Sequence, residues 1–310
     1  MRPTFKAIRF HQYGSIDALK LEDVPYPTLG DEQVLVRVSA ASINLIEHKL
    51  ASGELKDFFP LQFPWTPGGD FSGVVEIVGN EVTQFKKGDE VFGWNPGMSS
   101  YAEMLVAPQA ILLKKPQNLT HSEAASIATV AQTAWQALFE IAKMKQGQSI
   151  LIHGGAGGVG TFAVQLAHQA GLKVYATASA ENKEHLLSLG ADEVIDYNKT
   201  PFESVAKSVD IVIDIVGGET QQRSFKIVKR GGFLISLIQP PSQEEAQKFG
   251  ITALMMRTEF NPKRLEKIAE LVANGEMKTV ISKTYPLSEV KEAWRHILSK
   301  HTQGKIVLKI

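Results

Sequence analysis

Gly155, Gly157 and Gly160 stand in the run His153-Gly154-Gly155-Ala156-Gly157-Gly158-Val159-Gly160. The G-x-G-x-x-G spacing suits one kind of chemistry, the seating of a dinucleotide pyrophosphate against bare backbone. The first glycine allows the tight turn, the second lets the pyrophosphate approach, and the third lets helix and strand pack closely. The exposed N–H groups at the helix start, Gly158 and Val159 among them, join the helix dipole in favouring an anion. A second chemical position lies further on. Sites for NAD carry Asp or Glu about 20 residues after the glycines, to bind the ribose 2′-hydroxyl. Here that position falls on Ser179, with Lys183 four residues later. A hydroxyl donates to a 2′-phosphate that a carboxylate would repel, and a lysine adds charge. A slightly shifted register makes Glu181 the ribose ligand instead.

These residues need a strand–turn–helix frame. Ser149-Ile150-Leu151-Ile152 reads as a buried strand, and Thr161 to Ala170 as a helix with Phe162, Val164, Leu166 and Ala167 on its apolar surface. Strands and helices then alternate: Lys173–Thr177, helix 181–189, Glu193–Ile195, Ile211–Ile215, helix 218–228 and Gly232–Leu237. That rhythm predicts a doubly wound parallel sheet. The first 120 or so residues read differently, as β structure punctuated by Pro67-Gly68, Gly88-Asp89 and Pro96-Gly97, with strands at Gln33–Val38 and Phe71–Val78. A helix spans Ser122 to Ala142, with Ser122 as its N-cap. A tail of Ile281–Tyr285, a helix Ser288–Ser299 and a strand Lys305–Ile310 is expected to return to the N-terminal sheet.

The whole chain has 310 residues, 44% hydrophobic and 21% charged, with zero net charge and no cysteine. That is room for two soluble domains. Disulfides, thiolate metal sites and cysteine nucleophiles are excluded. Neutral charge predicts no nucleic-acid or anionic-membrane partner, no apolar run is long enough to span a bilayer, and no apolar signal region follows Met1. A cytoplasmic protein is the expectation.

Ala41-Ser42-Ile43-Asn44, Pro67-Gly68-Gly69-Asp70-Phe71-Ser72-Gly73, Lys87-Gly88-Asp89-Glu90-Val91-Phe92-Gly93, Leu189-Gly190-Ala191-Asp192 and Gly304-Lys305-Ile306-Val307-Leu308 flank the glycine motif in order. Together they resemble the medium-chain dehydrogenase/reductase superfamily, specifically its zinc-free quinone oxidoreductase branch, which includes zeta-crystallin-type proteins. The resemblance implies an α/β fold with two parts. A GroES-like β domain takes residues 1–122 and 280–310, and a Rossmann domain takes 123–279.

In zinc-dependent relatives Cys, His and an acid hold a Lewis-acid zinc. Here the cysteine position corresponds to Asn44 and the Gly-His-Glu block to Gly68-Gly69-Asp70, so no metal is expected. Glu47, His48 and Asp70 lack the spacing of a substitute site. The resemblance implies that Asn44, Thr133, Val216, Gly217, Leu237, Ile238 and Lys305 approach the cofactor, and that Lys183 and Tyr197 contact its 2′-phosphate. With Ser179 this favours NADPH over NADH. Asn44, Glu47, Trp65 and Tyr101 are acceptor-site candidates, with Phe92 and Trp94 as further aromatic walls. Glu47 departs from the Asp of an Asn-Pro-Val-Asp sequence common in relatives, and the proline is missing too.

The implied reaction is hydride transfer from NADPH to a quinone. The alternatives are reduction of an enone or 2-alkenal double bond, and a non-catalytic NADPH-binding role of the crystallin or RNA-binding kind. The resemblance also implies a homodimer or homotetramer. His153 is expected to orient backbone or lie exposed, and His296 and His301 to lie on the surface.

Overall fold

The computed structural model describes residues 4–310, which form two compact units. One unit takes the chain as far as Thr129 together with Phe260–Ile310. Its largest sheet has Ile281–Pro286, Lys305–Lys309, Gln33–Ser42, Asp70–Val78, Glu90–Trp94 and Leu112–Lys114 as successive neighbours, and Met104–Pro108 also pairs with Gln33–Ser42. Alternation along Gln33–Ser42 sends Val34, Val36 and Val38 into a core with Phe71, Val75, Val91 and Leu105. A second core gathers Ile8, Phe10, Leu19, Trp65, Tyr101 and Trp294. The C-terminal strand Lys305–Lys309 does return to the N-terminal sheet, antiparallel to Gln33–Ser42 with Val307 opposite Ser42. This pairing carries Lys305 to the end of Gln33–Ser42, beside Asn44.

The other unit, Val130–Glu259, is the doubly wound part. Its sheet is wholly parallel, in the order Glu193–Asp196, Lys173–Ala178, Ser149–His153, Val209–Asp214, Val228–Ser236, Thr252–Met255. Ile150, Leu151 and Ile152, and Ile211, Val212 and Ile213, are all buried. Such continuous apolar runs mark strands covered on both faces. From Ser149–His153 the chain winds outward in one direction, then crosses over to Val209–Asp214 and winds in the other. Open α/β sheets bind ligands at the carboxyl ends of the strands flanking such a reversal.

Several local expectations are corrected. The helix at 122 begins at His121, and Thr120 rather than Ser122 caps it. The Thr120 hydroxyl accepts from the Glu123 N–H at 3.2 Å, while the Glu123 carboxylate accepts from the Thr120 N–H at 2.8 Å. This is a reciprocal capping box. The helix stays α only to Trp135 and continues as a π-helix over Gln136–Ile141, with the Trp135 and Phe139 rings 4.3 Å apart. The strand Thr252–Met255 and the helix Pro262–Ala273 have no counterpart among the expected elements. That helix belongs to the unit that contains the N-terminal sheet, which takes the chain as far as Thr129 and resumes at Phe260. The Asn118 amide ties its end down, donating to the Ala273 carbonyl at 2.6 Å.

His153 is buried, not exposed. Its Nε2 bonds the Ser224 hydroxyl at 2.9 Å and its Nδ1 the Thr177 hydroxyl at 3.2 Å. Burial pushes its pKa down to about 4. It is a neutral strut beneath the glycine turn. His296 is half-buried, with its Nδ1 3.1 Å from the Tyr285 hydroxyl.

Candidate active site

In the parallel-sheet unit, the strand Ser149–His153 feeds the glycine turn and the helix Gly158–Gln169 follows, capped by Gly157. The three motif glycines have distinct jobs, and one differs from expectation. The left-handed turn belongs to Gly154, at φ +71°, one residue before the motif. Gly155 is required for space, since a Cβ there would stand 2.8 Å from the Ala176 Cβ on the neighbouring strand. A Cβ on Gly160 would strike the carbonyl oxygens of Gly154 and Gly155. A Cβ on Gly157 would meet only the Gly154 carbonyl, at 3.5 Å. The helix start is therefore open above Gly157, and its first N–H groups lack intrahelical acceptors. This backbone cradle fits a pyrophosphate.

At the end of the next strand, Ser179 precedes a short 3-10 turn, Ala180–Asn182, and Lys183 opens the helix Lys183–Ser188. Parallel pairing sets Asp196 beside Ala178, which carries Tyr197 to the level of Ser179. Tyr197 is 54% exposed. Ser179, Lys183, Asp196 and Lys199 border a cavity of 290 Å³. The Ser179 hydroxyl donates to Glu181 at 3.0 Å and accepts from the Asn182 amide at 2.9 Å.

Across the strand reversal, Asp214 is buried and organises the next loop. Its carboxylate accepts from the N–H groups of Val216 and Gly217, the Gln221 amide and the Ser236 hydroxyl, all within 3.1 Å. Gly217 is left-handed at φ +78°, and a Cβ there would lie 3.1 Å from Ile238. Val216, 51% exposed, Gly217, Leu237 and Ile238 therefore cluster at the carboxyl ends of two adjacent strands. Thr133 is buried, with its hydroxyl 2.6 Å from that of Thr258.

The unit with the N-terminal sheet holds a buried polar cluster that the sequence did not reveal as such. Glu47 reaches back from the first turn of the helix Leu45–Ser52 to the Asn44 N–H, at 3.1 Å. It also accepts from the Gly69 N–H at 3.1 Å and from the Tyr101 hydroxyl. The Asn44 carboxamide donates to Asp70 at 2.9 Å and accepts from the Lys305 ammonium at 2.5 Å. Lys305 donates again to the Ile43 carbonyl at 2.7 Å and lies 3.7 Å from Asp70. Ser42 and Thr129 hydroxyls complete the Asp70 carboxylate.

Burial pushes Glu47 up to about 7 against the opposing hydrogen bonds. Burial also lowers the Lys305 pKa, opposed by Asp70 and Glu47. Tyr101 rises well above its ordinary value, through burial and the facing Glu47.

Of the acceptor-site candidates, Asn44, Glu47 and Tyr101 are thus brought together. Trp65 is not with them; it packs on Phe10, with ring centres 6.0 Å apart, in the apolar core. Phe92 is also core, whereas Trp94 is half-buried and stacks on Phe260 at 6.0 Å. Tyr101 and Trp65 are both buried and present no open ring face.

Residues 30–117 match the alcohol dehydrogenase GroES-like domain, and residues 189–308 match the zinc-binding dehydrogenase family. The chain is 37% identical to a 2-methylene-furan-3-one reductase of Solanum lycopersicum, over 98% of this chain and 78% of that protein. It is 32% identical to the quinone oxidoreductase of Homo sapiens, over 98% and 97%. The structure of the quinone oxidoreductase from Coxiella burnetii superposes with a TM-score of 0.91 at 35% identity, covering 99% of this chain and all of that one. The chain belongs to the quinone oxidoreductase branch of the medium-chain dehydrogenase/reductase superfamily. It is an oxidoreductase enzyme, and a non-catalytic role is set aside.

For this quinone oxidoreductase relative, the positions that correspond to zinc ligands do not fit a zinc ion. Asn44 and Asp70 are engaged with each other and with a lysine cation. A Cβ on Gly69 would stand 2.5 Å from the Trp94 indole nitrogen, so no ligand side chain has room there. His48 turns its ring against Trp294, at 5.7 Å.

The raised Glu47 makes a stability prediction. A carboxyl protonated in the folded state and ionised in the unfolded chain stabilises less as pH rises from 4.5 to about 7. The full span corresponds to about 3 kcal/mol. His153 acts oppositely: its folded pKa is depressed, so its contribution is lost as pH falls from 6.5 to about 4. The two offset one another over most of that window. Glu47→Gln removes the first alone, so its stability should climb with pH where the parent's is nearly flat. Thermal unfolding across that window measures this, and parallel curves for the two proteins would contradict the Glu47 assignment.

Proposed function

We propose that the enzyme is an NADPH-dependent reductase of quinones. The observation carrying the reading is the cavity at the end of the second strand, where Ser179 and Lys183 stand in place of a ribose-binding carboxylate. Glu181, which now accepts from Ser179, is exposed. Turning it into solvent costs little and frees the hydroxyl for a 2′-phosphate. Lys183, Lys199 and Tyr197 supply the remaining cationic and hydroxyl contacts.

When bound, a reduced nicotinamide supplies a hydride from its C4. The protein's own part is to hold and orient. The N–H groups of Gly158 and Val159 hold the pyrophosphate, with Gly155, Gly157 and Gly160 keeping the turn close. Val216, Gly217, Leu237, Ile238 and Thr133 position the nicotinamide end. In the other unit Asn44, held by Lys305 and backed by the buried Glu47 and Tyr101, is the polar group offered to an acceptor. An electron-poor acceptor needs only orientation and stabilisation of the developing oxyanion.

A second reading, reduction of a conjugated carbonyl, is favoured by the greater identity to the furanone reductase than to the human quinone oxidoreductase. Side-by-side kcat/KM values for 1,4-benzoquinone, 9,10-phenanthrenequinone and an enone series separate the two. The first reading expects the quinones to lead by on the order of tenfold, about 1.4 kcal/mol in transition-state binding. A lead for the enones would replace it with the second.

A further inference from the structure

Asn44 carries a carboxamide whose two ends are chemically unlike, and the structure uses both. Its Oδ1 accepts from Lys305 at 2.5 Å, and its Nδ2 donates to Asp70 at 2.9 Å. A flipped amide would turn an NH₂ toward an ammonium and a carbonyl toward a carboxylate, two repulsive contacts in place of two attractive ones. Lys305 is itself fixed by the Ile43 carbonyl at 2.7 Å and lies 3.7 Å from Asp70. All three side chains are buried, so these contacts are little screened. Strand pairing delivers the ammonium here: Val307 lies opposite Ser42, which places Lys305 alongside Asn44.

We propose that Lys305 is a positioning residue of the acceptor site, a built-in cation that locks the Asn44 carboxamide in one orientation and balances the Asp70 carboxylate. This rests on the reductase reading above for its catalytic consequence, though not for the lock itself. Lys305 acts through Asn44 and need not touch either reactant. The other groups facing the pair are Glu47, Tyr101, and the hydroxyls of Ser42 and Thr129, which stand on Asp70.

The lock is read without turnover, from hydrogen exchange of the Asn44 side-chain amide by NMR. Lys305→Met should speed that exchange at least about tenfold, because a freed amide samples solvent; unchanged exchange overturns the proposal. The consequence is read from kcat in a cycle of Lys305→Met, Asn44→Ala and the double variant. Each single change should lower kcat by about 10- to 100-fold, the usual effect of losing a group that orients a site residue. The double variant should be little worse than Asn44→Ala, since both act on one element.

KM for NADPH should stay within about threefold, because uniform cofactor binding is not what the lock supplies. Additive losses in the cycle overturn the proposal. Should Lys305→Met not fold, Lys305→Met with Asp70→Asn leaves no unpaired buried charge and is compared with Asp70→Asn alone; equal kcat and equal amide exchange overturn it. If the parent enzyme shows no turnover while Lys305→Met frees the amide, the reductase reading fails and the lock stands.

Discussion

Lys183→Ala raises the Kd for NADPH by about 10- to 100-fold and changes that for NADH by no more than about threefold. A hydrogen bond to a charged group contributes about 1.5–3 kcal/mol, and each 1.4 kcal/mol is a factor of ten. Only NADPH carries the 2′-phosphate that would spend it. Lys183 opens its helix immediately after the 3-10 turn and borders the cavity with Ser179. Its side chain is exposed, and Lys199, which also borders that cavity, retains part of the selectivity. Ser179→Asp is the complementary change. It sets a carboxylate at the end of Lys173–Ala178, repels the phosphate and offers a ribose acceptor, so preference moves toward NADH. Titration calorimetry with both cofactors measures each effect. Equal losses for the two cofactors in Lys183→Ala would take Lys183 out of the phosphate seat.

Gly160→Ala lowers kcat/KM for NADPH by on the order of 100-fold, the cost of displacing a positioned group by about 1 Å. The added methyl would strike two backbone carbonyls, of Gly154 and Gly155, and neither can rotate aside. The helix Gly158–Gln169 must then draw back from the turn, and overpacking of this kind costs about 1–3 kcal/mol of stability as well. Gly157→Ala separates fold from function at the same turn. Its backbone, at φ −74° and ψ 174°, suits alanine, and the new Cβ meets only an ordinary contact at 3.5 Å. That variant keeps its unfolding temperature, yet its methyl stands over the cradle, so cofactor binding weakens. If Gly157→Ala bound NADPH like the parent, the pyrophosphate would lie elsewhere.

The parts of this enzyme that sequence reasoning reached are those encoded locally. The glycine turn, its strand and its helix lie within a span of about two dozen residues, and periodicity specifies them. The parallel sheet followed from the alternation of elements, and the return of Lys305–Lys309 to the first sheet from its terminal position. The Thr120–Glu123 capping box has the local form T-x-x-E, two residues before Ser122, which is equally a helix-start type. The buried cluster had no such signal. Tyr101 lies 54 residues from Glu47, Asp70 lies 26 from Asn44, and Lys305 lies 261 from Asn44. Only sheet register and packing bring them together, and no spacing rule encodes that.

Glu47 illustrates the gap. Read alone it is an acidic residue on a short helix, and acidic residues are rarely fully buried unless paired. Its burial was set by Tyr101 and the Gly68-Gly69 backbone, where a Cβ on Gly68 would strike Tyr101 and Ser100. The same distance from local pattern explains Trp65. Its pairing with Phe10 across an isolated bridge makes it core, whatever its chemistry would suit.

The central claim is that this chain reduces an electron-poor acceptor with NADPH. The most direct test is the ratio of kcat/KM for NADPH to that for NADH, followed by loss of reduced-nicotinamide absorbance with 9,10-phenanthrenequinone after dialysis against a chelator. Chelator-insensitive turnover and a ratio of about ten or more are expected, matching one charge-assisted phosphate contact. A ratio near or below one, or activity that disappears with the chelator and returns with zinc, would contradict it.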